Sequence, residues 1–325
     1  MRFWFFLLFG IVAGCHTQNT QFALIGDNPY QDYNFPKYER LIDDINSRNL
    51  HWVVHVGDMK DGGASCADEN LKAVLRINQR FEPPFLVTPG DNDWFDCARK
   101  SAGGYDRRER LVRLREIFYS GDPGMQVIRQ ADTGSRPDYV ENLRWVKNEV
   151  VYGTVHLVGI TGKEGGINIH NEVMSAGIEW LEEIFTAARR IGAKGIFIAT
   201  QADLYPLTAE PYLIQAVCPH CPAVRPFYEG FHQALLVNLR SFDNPVVLAV
   251  GDTHIFRVDK PLYDNKKLVE HFTRVETFGE DQVHWVRVEV DTDAREVFSF
   301  HQEIIQENKG VGWAAADKEI NDGNL

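Results

Sequence analysis

Acidic side chains directly follow glycine at the ends of four apolar segments in this sequence. Each segment is short and typical of a buried strand. Because open α/β sheets place their ligand sites beyond the carboxyl ends of strands, we expect the four carboxylates to meet at one edge. One such ending would more often be an ordinary turn, but four of them predict a site. The four endings are Gly26-Asp27, Gly57-Asp58, Gly90-Asp91 and Gly251-Asp252.

Carboxylates brought together in this way would repel each other strongly unless protons or cations neutralised them. Their oxygens are hard ligands that suit divalent cations, and His254, two residues after Asp252, adds an imidazole. Two cations about 3.5–4 Å apart would clamp a phosphoryl group and generate a hydroxide nucleophile. The residue types therefore predict a metal centre, and two divalent ions would neutralise it most economically.

The four motifs, taken in order, resemble those of the calcineurin-like metallophosphoesterases over about residues 22–305. The resemblance implies an α/β fold, a four-layer αββα sandwich of two mixed β-sheets flanked by helices. It also implies a two-metal centre that hydrolyses phosphate mono- or diesters. In that centre Asp27 would bind the first metal, Asp58 would bridge both metals and His254 would complete the first site.

Several positions depart from the family pattern. Pro29 stands where the first motif has a metal-binding His, and Asp91 stands where the third has a metal-binding Asn. Asn92 replaces the His that usually protonates the leaving group, an acid typically worth about 10²–10⁴-fold in rate. Gln201 stands at the expected place of a lone His, and Asp252 replaces the first His of the last motif.

These replacements make the predicted second metal site rich in oxygen, with Asp91, Gln201 and Asp252 beside Asp58. An all-oxygen site favours Mg²⁺, Mn²⁺ or Ca²⁺ over Zn²⁺. Four carboxylates would cancel the charge of two dications, so the centre would attract phosphate less strongly than the family pattern does. Asp93 could replace the missing acid, although its usual part in this motif is to orient that His.

Two functions remain open on these residues. The protein could be an exported hydrolase that acts on phosphorylated small-molecule or polymer substrates with good leaving groups. Alternatively, it could be a catalytically impaired surface lipoprotein that uses the same fold for binding without turnover. A third possibility is that the acids are structural and cap turns and helix N-termini.

Composition narrows the class of partner. The 325-residue chain is 44% hydrophobic and 25% charged, which is ordinary for a globular protein. Its formal net charge of −12 argues against a general nucleic-acid binder, which would present a basic stripe. Bound cations would have to supply the positive charge that a phosphate substrate needs.

The first fifteen residues predict a targeting segment. Arg2 is followed by the apolar run 3–12, which is too short to span a bilayer as a mature helix. The ending Val-Ala-Gly-Cys resembles a bacterial lipoprotein signal, in which Cys15 becomes the lipidated first residue. An ordinary secretory signal with an incidental cysteine is the alternative. We therefore expect an exported protein of the cell envelope, anchored by lipid to a membrane surface.

Export would place the remaining four cysteines in an oxidising compartment, where an even count favours disulfides. Cys66 and Cys97 each follow a predicted site turn, so a Cys66–Cys97 bridge is the preferred pairing. Cys218 and Cys221, in a Cys-Pro-His-Cys segment between prolines, predict a local structural bridge. No strand–helix unit surrounds that segment, which argues against a thiol–disulfide active site.

The elements that must position the acids begin in βαβαβα order, which predicts a parallel sheet. The middle of the chain predicts a hairpin of strands 143–151 and 155–160 around a turn at 152–154, and then a helix over 178–191. We expect one domain over 22–305 and a polar tail over 306–325. The other predicted strands are 22–25, 52–56, 85–87, 195–199, 246–250, 283–290 and 297–304, and the other predicted helices are 37–46, 71–79, 107–119 and 227–239.

A few further residues could contact a substrate. Tyr30 and Trp94 lie at predicted site turns and could stack on it, although aromatic residues near turns more often border the core. Lys163 and His170 lie on or near a loop that could cover the site. That loop lacks the glycine spacing of a P-loop, and no Ser-His-Asp motif or dinucleotide fingerprint is present. Covalent catalysis is therefore unsupported.

Overall fold

The computed structural model describes residues 19–30, 34–159, 165–205, 224 and 226–310. Within these ranges the chain forms α-helices α1 (Phe35–Asn46), α2 (Asp68–Asn78), α3 (Arg107–Phe118), α4 (Ile167–Ile191) and α5 (Glu229–Leu239). The strands are β1 (Thr20–Ile25), β2 (Val53–His55), β3 (Phe85–Val87), β4 (Ile128–Arg129), β5 (Leu143–Lys147), β6 (Val150–Thr154), β7 (Gly195–Ala199), β8 (Val246–Val250), β9 (Arg257–Asp259), β10 (Tyr263–Asp264), β11 (Lys267–Leu268), β12 (Phe272–Glu276), β13 (Trp285–Val290) and β14 (Phe298–Glu303).

Two large mixed sheets organise these elements. The first has five strands in the order β14-β13-β1-β2-β3, and the second has seven in the order β4-β5-β6-β7-β8-β12-β9. Strands β1, β2 and β3 are parallel, with Leu24 opposite Val54 and Val54 opposite Leu86. Parallel neighbours in this register end at the same edge, as the βαβ order predicts.

Apolar side chains from both sheets form the central core. Phe22 and Val54 of the first sheet pack in one buried cluster with Tyr152, Phe197 and Val247 of the second. Helices α4 and α5 cover the outer face of the seven-stranded sheet, and α1 covers the outer face of the five-stranded sheet. This is the expected αββα arrangement.

Helix α4 is longer than the sequence predicts. It begins at Ile167 rather than near Ile178, because its apolar stripe continues upstream through Ile169 and Val173. These two residues pack against Trp94 in a separate core cluster, so tertiary burial extends the helix by about three turns.

The hairpin is present, but its predicted turn is wrong. Strands β5 and β6 are antiparallel and turn at Asn148 and Glu149, which have φ angles of 47° and 58°. Consecutive residues with positive φ are typical of a two-residue hairpin turn. Tyr152 is instead a fully buried strand residue, and Gly153 lies where a Cβ would come within 2.5 Å of Ile184. The glycine therefore marks close packing rather than a turn.

The predicted bridge between Cys66 and Cys97 is confirmed, with Cα atoms 5.6 Å apart and both side chains fully buried. It joins the segment after β2 to the segment after β3. Cys15 and the Cys218–Cys221 pair lie outside the described residues, as do most of the predicted leader and tail. No helix in the described ranges is long and apolar enough to cross a membrane.

Candidate active site

The ends of four strands converge, three from the first sheet and one from the second. They carry Asp27 after β1, Asp58 after β2, Asp91 after β3 and Asp252 after β8. Glycines allow the close approach. A Cβ at position 90 would lie 1.9 Å from Asp58 Oδ1, and one at position 251 would lie 2.4 Å from Asp27 Oδ2. The Gly-Asp pattern thus reflects a packing requirement as well as a supply of acids.

The backbone at three of the acids and their neighbour is left-handed. The φ angles are 52° at Asp27, 54° at Asp58, 78° at Asp252 and 62° at His254. Non-glycine residues adopt this region at a cost of order 1–3 kcal/mol each, and such residues cluster at functional sites. The same turns direct the side chains toward one another, since the Asp252 N–H donates to Asp27 Oδ1 at 3.1 Å.

The Tyr30 hydroxyl lies among three of the predicted metal ligands, Asp27, Asp58 and His254. Its hydroxyl lies 3.1 Å from Asp58 Oδ2, 3.3 Å from His254 Nε2 and 3.5 Å from Asp27 Oδ1. The Asn92 side chain donates to the same hydroxyl oxygen at 3.1 Å. Tyr30 was expected only as a stacking surface. The structure instead brings its polar end among the predicted ligands.

A second group of oxygens surrounds Gly159. A Cβ on this glycine would lie 2.8 Å from Gln201 Oε1, 2.9 Å from Asp91 Oδ1 and 3.2 Å from Asp252 Oδ1. The amide nitrogen of Gln201 donates to Asp58 Oδ2 at 3.1 Å, so Gln201, placed from sequence by order alone, does reach the acids.

Two of the oxygens around Gly159 lack a hydrogen-bond donor. Asp91 Oδ1 and Gln201 Oε1 are buried and have no partner among the described residues. Buried acceptors left without donors are costly, and a cation would satisfy both. No group of three or more His, Cys, Asp or Glu side chains in the described ranges forms a ready-made metal site. Around Gly159, the Gln201 amide oxygen adds a further oxygen to those of the Asp91 and Asp252 carboxylates.

Electrostatics also favour a counter-charge here. Burial, followed by the charges of neighbouring carboxylates, raises the pKa of Asp27, Asp58 and Asp91 well above the ordinary range. Burial lowers the pKa of His254, which keeps the imidazole in the neutral form that binds metals. A bound cation would stabilise the charged carboxylates by the same Coulomb interaction that now opposes them.

Asp93 has a different role from the one predicted. Its carboxylate accepts backbone N–H groups from Asp58 at 3.0 Å, Met59 at 2.8 Å and Gly90 at 2.8 Å. It therefore holds the turns after β2 and β3 together rather than facing a substrate. Asn92, at the expected place of the acid, donates its backbone N–H to Asp58 Oδ1 at 3.0 Å, which fixes the orientation of that carboxylate.

Two predicted substrate contacts do not face an open site. Trp94 is fully buried and its indole N–H donates to His156 Nε2 at 3.1 Å, so the prediction that it stacks on a substrate is wrong. His170 is buried on α4, with its ring against Phe227 and Tyr228. Lys163 lies outside the described residues.

Sequence reasoning missed the residue that supports the His254 turn. Glu276, at the end of β12, accepts the backbone N–H groups of Thr253 at 3.2 Å and Ile255 at 3.4 Å, and the Thr253 hydroxyl. Its other oxygen is 2.7 Å from Arg257 Nη2. A signal was present, because Arg274 and Glu276 put charges two residues apart, on one face of an otherwise buried strand.

The two facing mixed sheets, with clustered carboxylates and an imidazole at their strand ends, are consistent with the fold of the metallophosphoesterases. The sequence profile of the calcineurin-like phosphoesterases matches residues 20–256, and the chain belongs to this family. Calcineurin-like phosphoesterases use a pair of divalent metals. No curated protein matches the sequence.

Solved structures of other phosphatases share the fold. A dimetal phosphatase from Danio rerio is 12% identical with a TM-score of 0.50, over 87% of this chain and 96% of that one. PhoD is 11% identical with a TM-score of 0.56, over 87% of this chain and 68% of that one. The purple acid phosphatase PPD1 of yellow lupin (Lupinus luteus) is 10% identical with a TM-score of 0.53, over 90% of this chain and 55% of that one. At these identities the likeness shows the fold alone.

Proposed function

We propose that this chain is an exported, metal-dependent hydrolase of phosphate mono- or diesters. The observation that carries the proposal is the pair of buried acceptors without donors, Asp91 Oδ1 and Gln201 Oε1, which border one space with Asp252 Oδ1. In a family that uses paired divalent metals, such oxygens are best explained as cation ligands.

The ligands divide into two groups that share one carboxylate. Asp27, Asp58 and His254 would hold one ion, while Asp58 with Asp91, Gln201 and Asp252 would hold the other. When bound, such ions bind phosphate oxygens and lower the pKa of a water that attacks phosphorus. The oxygen-rich second group favours Mg²⁺, Mn²⁺ or Ca²⁺ over Zn²⁺.

The chain's own residues orient this centre. Asp93 holds the turns that carry Asp58 and Asp91, and the Asn92 N–H and Gln201 amide fix the two oxygens of Asp58. The Asn92 side chain has no acidic proton to give a leaving group. Substrates whose leaving groups depart without protonation therefore suit the site.

The test measures bound metal and turnover on the same preparation. We expect about two equivalents of divalent metal by elemental analysis, and Mn²⁺- or Mg²⁺-dependent hydrolysis of an activated aryl phosphate mono- or diester. Asp58→Ala should lose both, because it removes the shared ligand. Absence of metal after reloading, together with no turnover on either substrate, would overturn the proposal.

A second function is favoured by one observation. The Tyr30 hydroxyl contacts both Asn92 and Asp58. In this position it would hinder a metal ion from binding to Asp27, Asp58 and His254. A protein with this closed arrangement could bind a partner without turnover. Two bound metal equivalents with turnover would exclude this alternative.

Export is proposed from residues 1–15, with lipid attached at Cys15. Membrane fractionation tests the lipid anchor separately from the hydrolase activity. We expect the full chain in the membrane fraction and the Cys15→Ala variant outside it. Recovery of Cys15→Ala in the membrane fraction at the level of the parent would contradict it.

A further inference from the structure

A fully buried histidine connects the two sheets near the oxygens around Gly159. His156 follows β6, and its Nε2 accepts the indole N–H of Trp94 at 3.1 Å. Trp94 lies three residues after Asp91, in the segment that follows β3, and Gly159 lies three residues after His156. The hydrogen bond therefore joins the segment that carries Asp91 to the segment that borders the same oxygens.

The oxygens around Gly159 come from both sheets. Asp91 follows β3 of the five-stranded sheet, while Gln201 and Asp252 follow β7 and β8 of the seven-stranded sheet. A cation held by all three would require the two sheets to keep a fixed separation at this edge. Contacts that fix this separation would therefore control how well the oxygens bind an ion.

His156 lies in a segment that is itself bound to both sheets. The residue before it, Val155, donates its backbone N–H to the carbonyl of Ala199, the last residue of β7, at 2.8 Å. The Thr88 hydroxyl, directly after β3, donates to the Val155 carbonyl at 3.3 Å. The hydrogen bond from Trp94 to His156 adds to this attachment, on the side that leads to Asp91.

The hydrogen bond from Trp94 requires one tautomer of His156. An indole N–H can only donate, so His156 Nε2 must accept, and the proton of the neutral ring must lie on Nδ1. His156 Nδ1 is 2.8 Å from Glu141 Oε1, which accepts the hydrogen bond from that proton. Burial lowers the pKa of His156, although Glu141 opposes this, and the imidazole stays neutral as the arrangement requires.

Arg115 keeps Glu141 in the charged form that accepts from His156. Arg115 Nε is 2.9 Å from Glu141 Oε2 and Arg115 Nη2 is 2.6 Å from Glu141 Oε1, so the fully buried carboxylate is held by both. Burial would raise the pKa of Glu141, but the hydrogen bond from His156 and the charge of Arg115 outweigh it and lower the pKa to about 2. Glu141 therefore fixes the tautomer of His156 that Trp94 needs.

We propose that His156 is a positioning residue, which acts through Trp94 to hold Asp91 in place in the second group of ligands. His156 does this without touching an ion or a substrate. If its acceptor were lost, the buried indole N–H of Trp94 would have no partner, and the segment would shift to provide one. This inference rests on the proposed function, because it concerns an ion held by that group.

The experiment compares two variants that keep different hydrogen bonds of His156. His156→Gln places an amide near the position of Nε2, so it can accept from Trp94, whereas His156→Asn places one near Nδ1, where it can only donate to Glu141. We expect His156→Asn to weaken one of the two Mn²⁺ binding steps about tenfold or more and to change the other by less than about threefold. His156→Gln should stay within about threefold of the parent in both steps. Calorimetric titration of the metal-free full chain measures both.

Turnover gives a second readout. At limiting Mn²⁺, His156→Asn should hydrolyse an activated aryl phosphate about tenfold more slowly than the parent, because one ion is bound more weakly. Excess Mn²⁺ should restore most of the rate. A role of His156 in stability alone would leave the Mn²⁺ dependence of the rate unchanged.

Trp94→Phe tests whether His156 acts through Trp94. The change removes the indole N–H and breaks the same hydrogen bond, so we expect it to weaken the same Mn²⁺ binding step by at least about threefold. In the Trp94→Phe background, His156→Asn and His156→Gln should differ by less than about threefold, because no donor remains that needs an acceptor. A difference as large as in the parent would overturn the proposed action through Trp94.

Trp180→Phe is the matched control for loss of a buried indole hydrogen bond. Trp180 is also fully buried, in the core beneath α4, and its indole N–H donates to the Leu143 carbonyl at 3.2 Å. We expect this variant to unfold at a lower temperature than the parent but to bind Mn²⁺ as the parent does. If it weakened the same binding step, the effect would not be specific to His156 and Trp94, and the inference would be overturned.

The outcomes separate this inference from the proposed function. If the parent binds two equivalents of metal and is active, unchanged Mn²⁺ binding in His156→Asn would overturn the inference alone. Equal weakening of both steps, or equal effects of His156→Asn and His156→Gln, would do the same. A parent that binds no metal after reloading and shows no turnover would overturn the proposed function, and the inference with it. Should His156→Asn fail to fold, unchanged binding in Trp94→Phe would overturn the inference.

Discussion

Two buried groups of charged side chains lie side by side in this molecule and differ in how their charge is balanced. In one group, Arg274 Nη1 is 2.9 Å from Asp203 Oδ1 and Arg257 Nη2 is 2.8 Å from Asp203 Oδ2. Arg257 also forms an ion pair with Glu276, which supports the His254 turn. In the acid centre, Asp27, Asp58 and Asp91 converge, and no arginine in the described part of the chain forms an ion pair with them. The first group is therefore balanced by its own arginines, whereas the second needs bound cations to balance its charge.

The largest expected effect comes from changing the acid centre. Asp58→Asn removes the shared ligand, so we expect metal content to fall and hydrolysis to drop by at least about 10³-fold, equivalent to about 4 kcal/mol. The metal-free variant should unfold at the same temperature as the metal-free parent or higher, because one repelling carboxylate is gone. A clear fall in that temperature would show that Asp58 stabilises the metal-free fold. It would contradict the proposal that the acid centre, unlike the arginine network, needs cations to balance its charge.

The arginine network should respond in the opposite way. Arg274→Met leaves Asp203 with one cation fewer in a buried setting, so we expect a loss of about 3–5 kcal/mol in the free energy of unfolding. Chemical denaturation measures it, with the exposed Arg108→Gln as a control that should change stability by less than about 0.5 kcal/mol. A small loss for Arg274→Met would mean that the network is not structural.

The space beside Gly159 tests the second group of ligands alone. Gly159→Ala puts a methyl group 2.8–3.2 Å from Gln201, Asp91 and Asp252, so we expect one metal equivalent instead of two and about 10²-fold lower activity. Elemental analysis measures the metal content, and initial rates measure the activity. Gly121→Ala, whose added methyl group has no heavy atom within 4 Å, is the matched control. Retention of two equivalents would indicate that these oxygens do not hold an ion.

The smallest effect concerns pH and Glu276. Burial, which outweighs the nearby Arg257 cation, raises the pKa of Glu276 to about 7 from 4.5. The folded protein therefore binds a proton that the unfolded chain releases, and this carboxyl makes stability fall as pH rises from about 4.5 to about 7. Glu276→Gln should flatten that slope by up to about 1.4 kcal/mol per pH unit. Parallel slopes in variant and parent would contradict the assignment.

The sequence predicted the parts of the site that depend on local pattern. Each Gly-Asp pair follows a short apolar strand, and parallel neighbours end together, so Asp27, Asp58 and Asp91 could be brought to one edge by reasoning alone. Asp252, which the second sheet contributes, could also be predicted, because it follows β8 in the same Gly-Asp pattern.

Contacts that depend on how turns and sheets meet could not be predicted. The Tyr30 hydroxyl reaches His254 only because the turn after β1 faces the turn after β8, across two sheets. Glu276 supports that turn because β12 pairs with β8, a neighbour more than twenty residues away along the chain. Trp94 was misjudged because its burial depends on α4, which extends further upstream than its sequence pattern indicated.

The Cys66–Cys97 bridge has a consequence for measuring motion in the site. Both sulfurs are fully buried, and the bridge joins the two segments whose turns carry Asp58 and Asp91. A soluble reductant can reach it only when those segments separate, so the rate of reduction reports the frequency of that opening. Slower reduction in the presence of metal would then measure, without any substrate, how firmly cations hold the two turns closed.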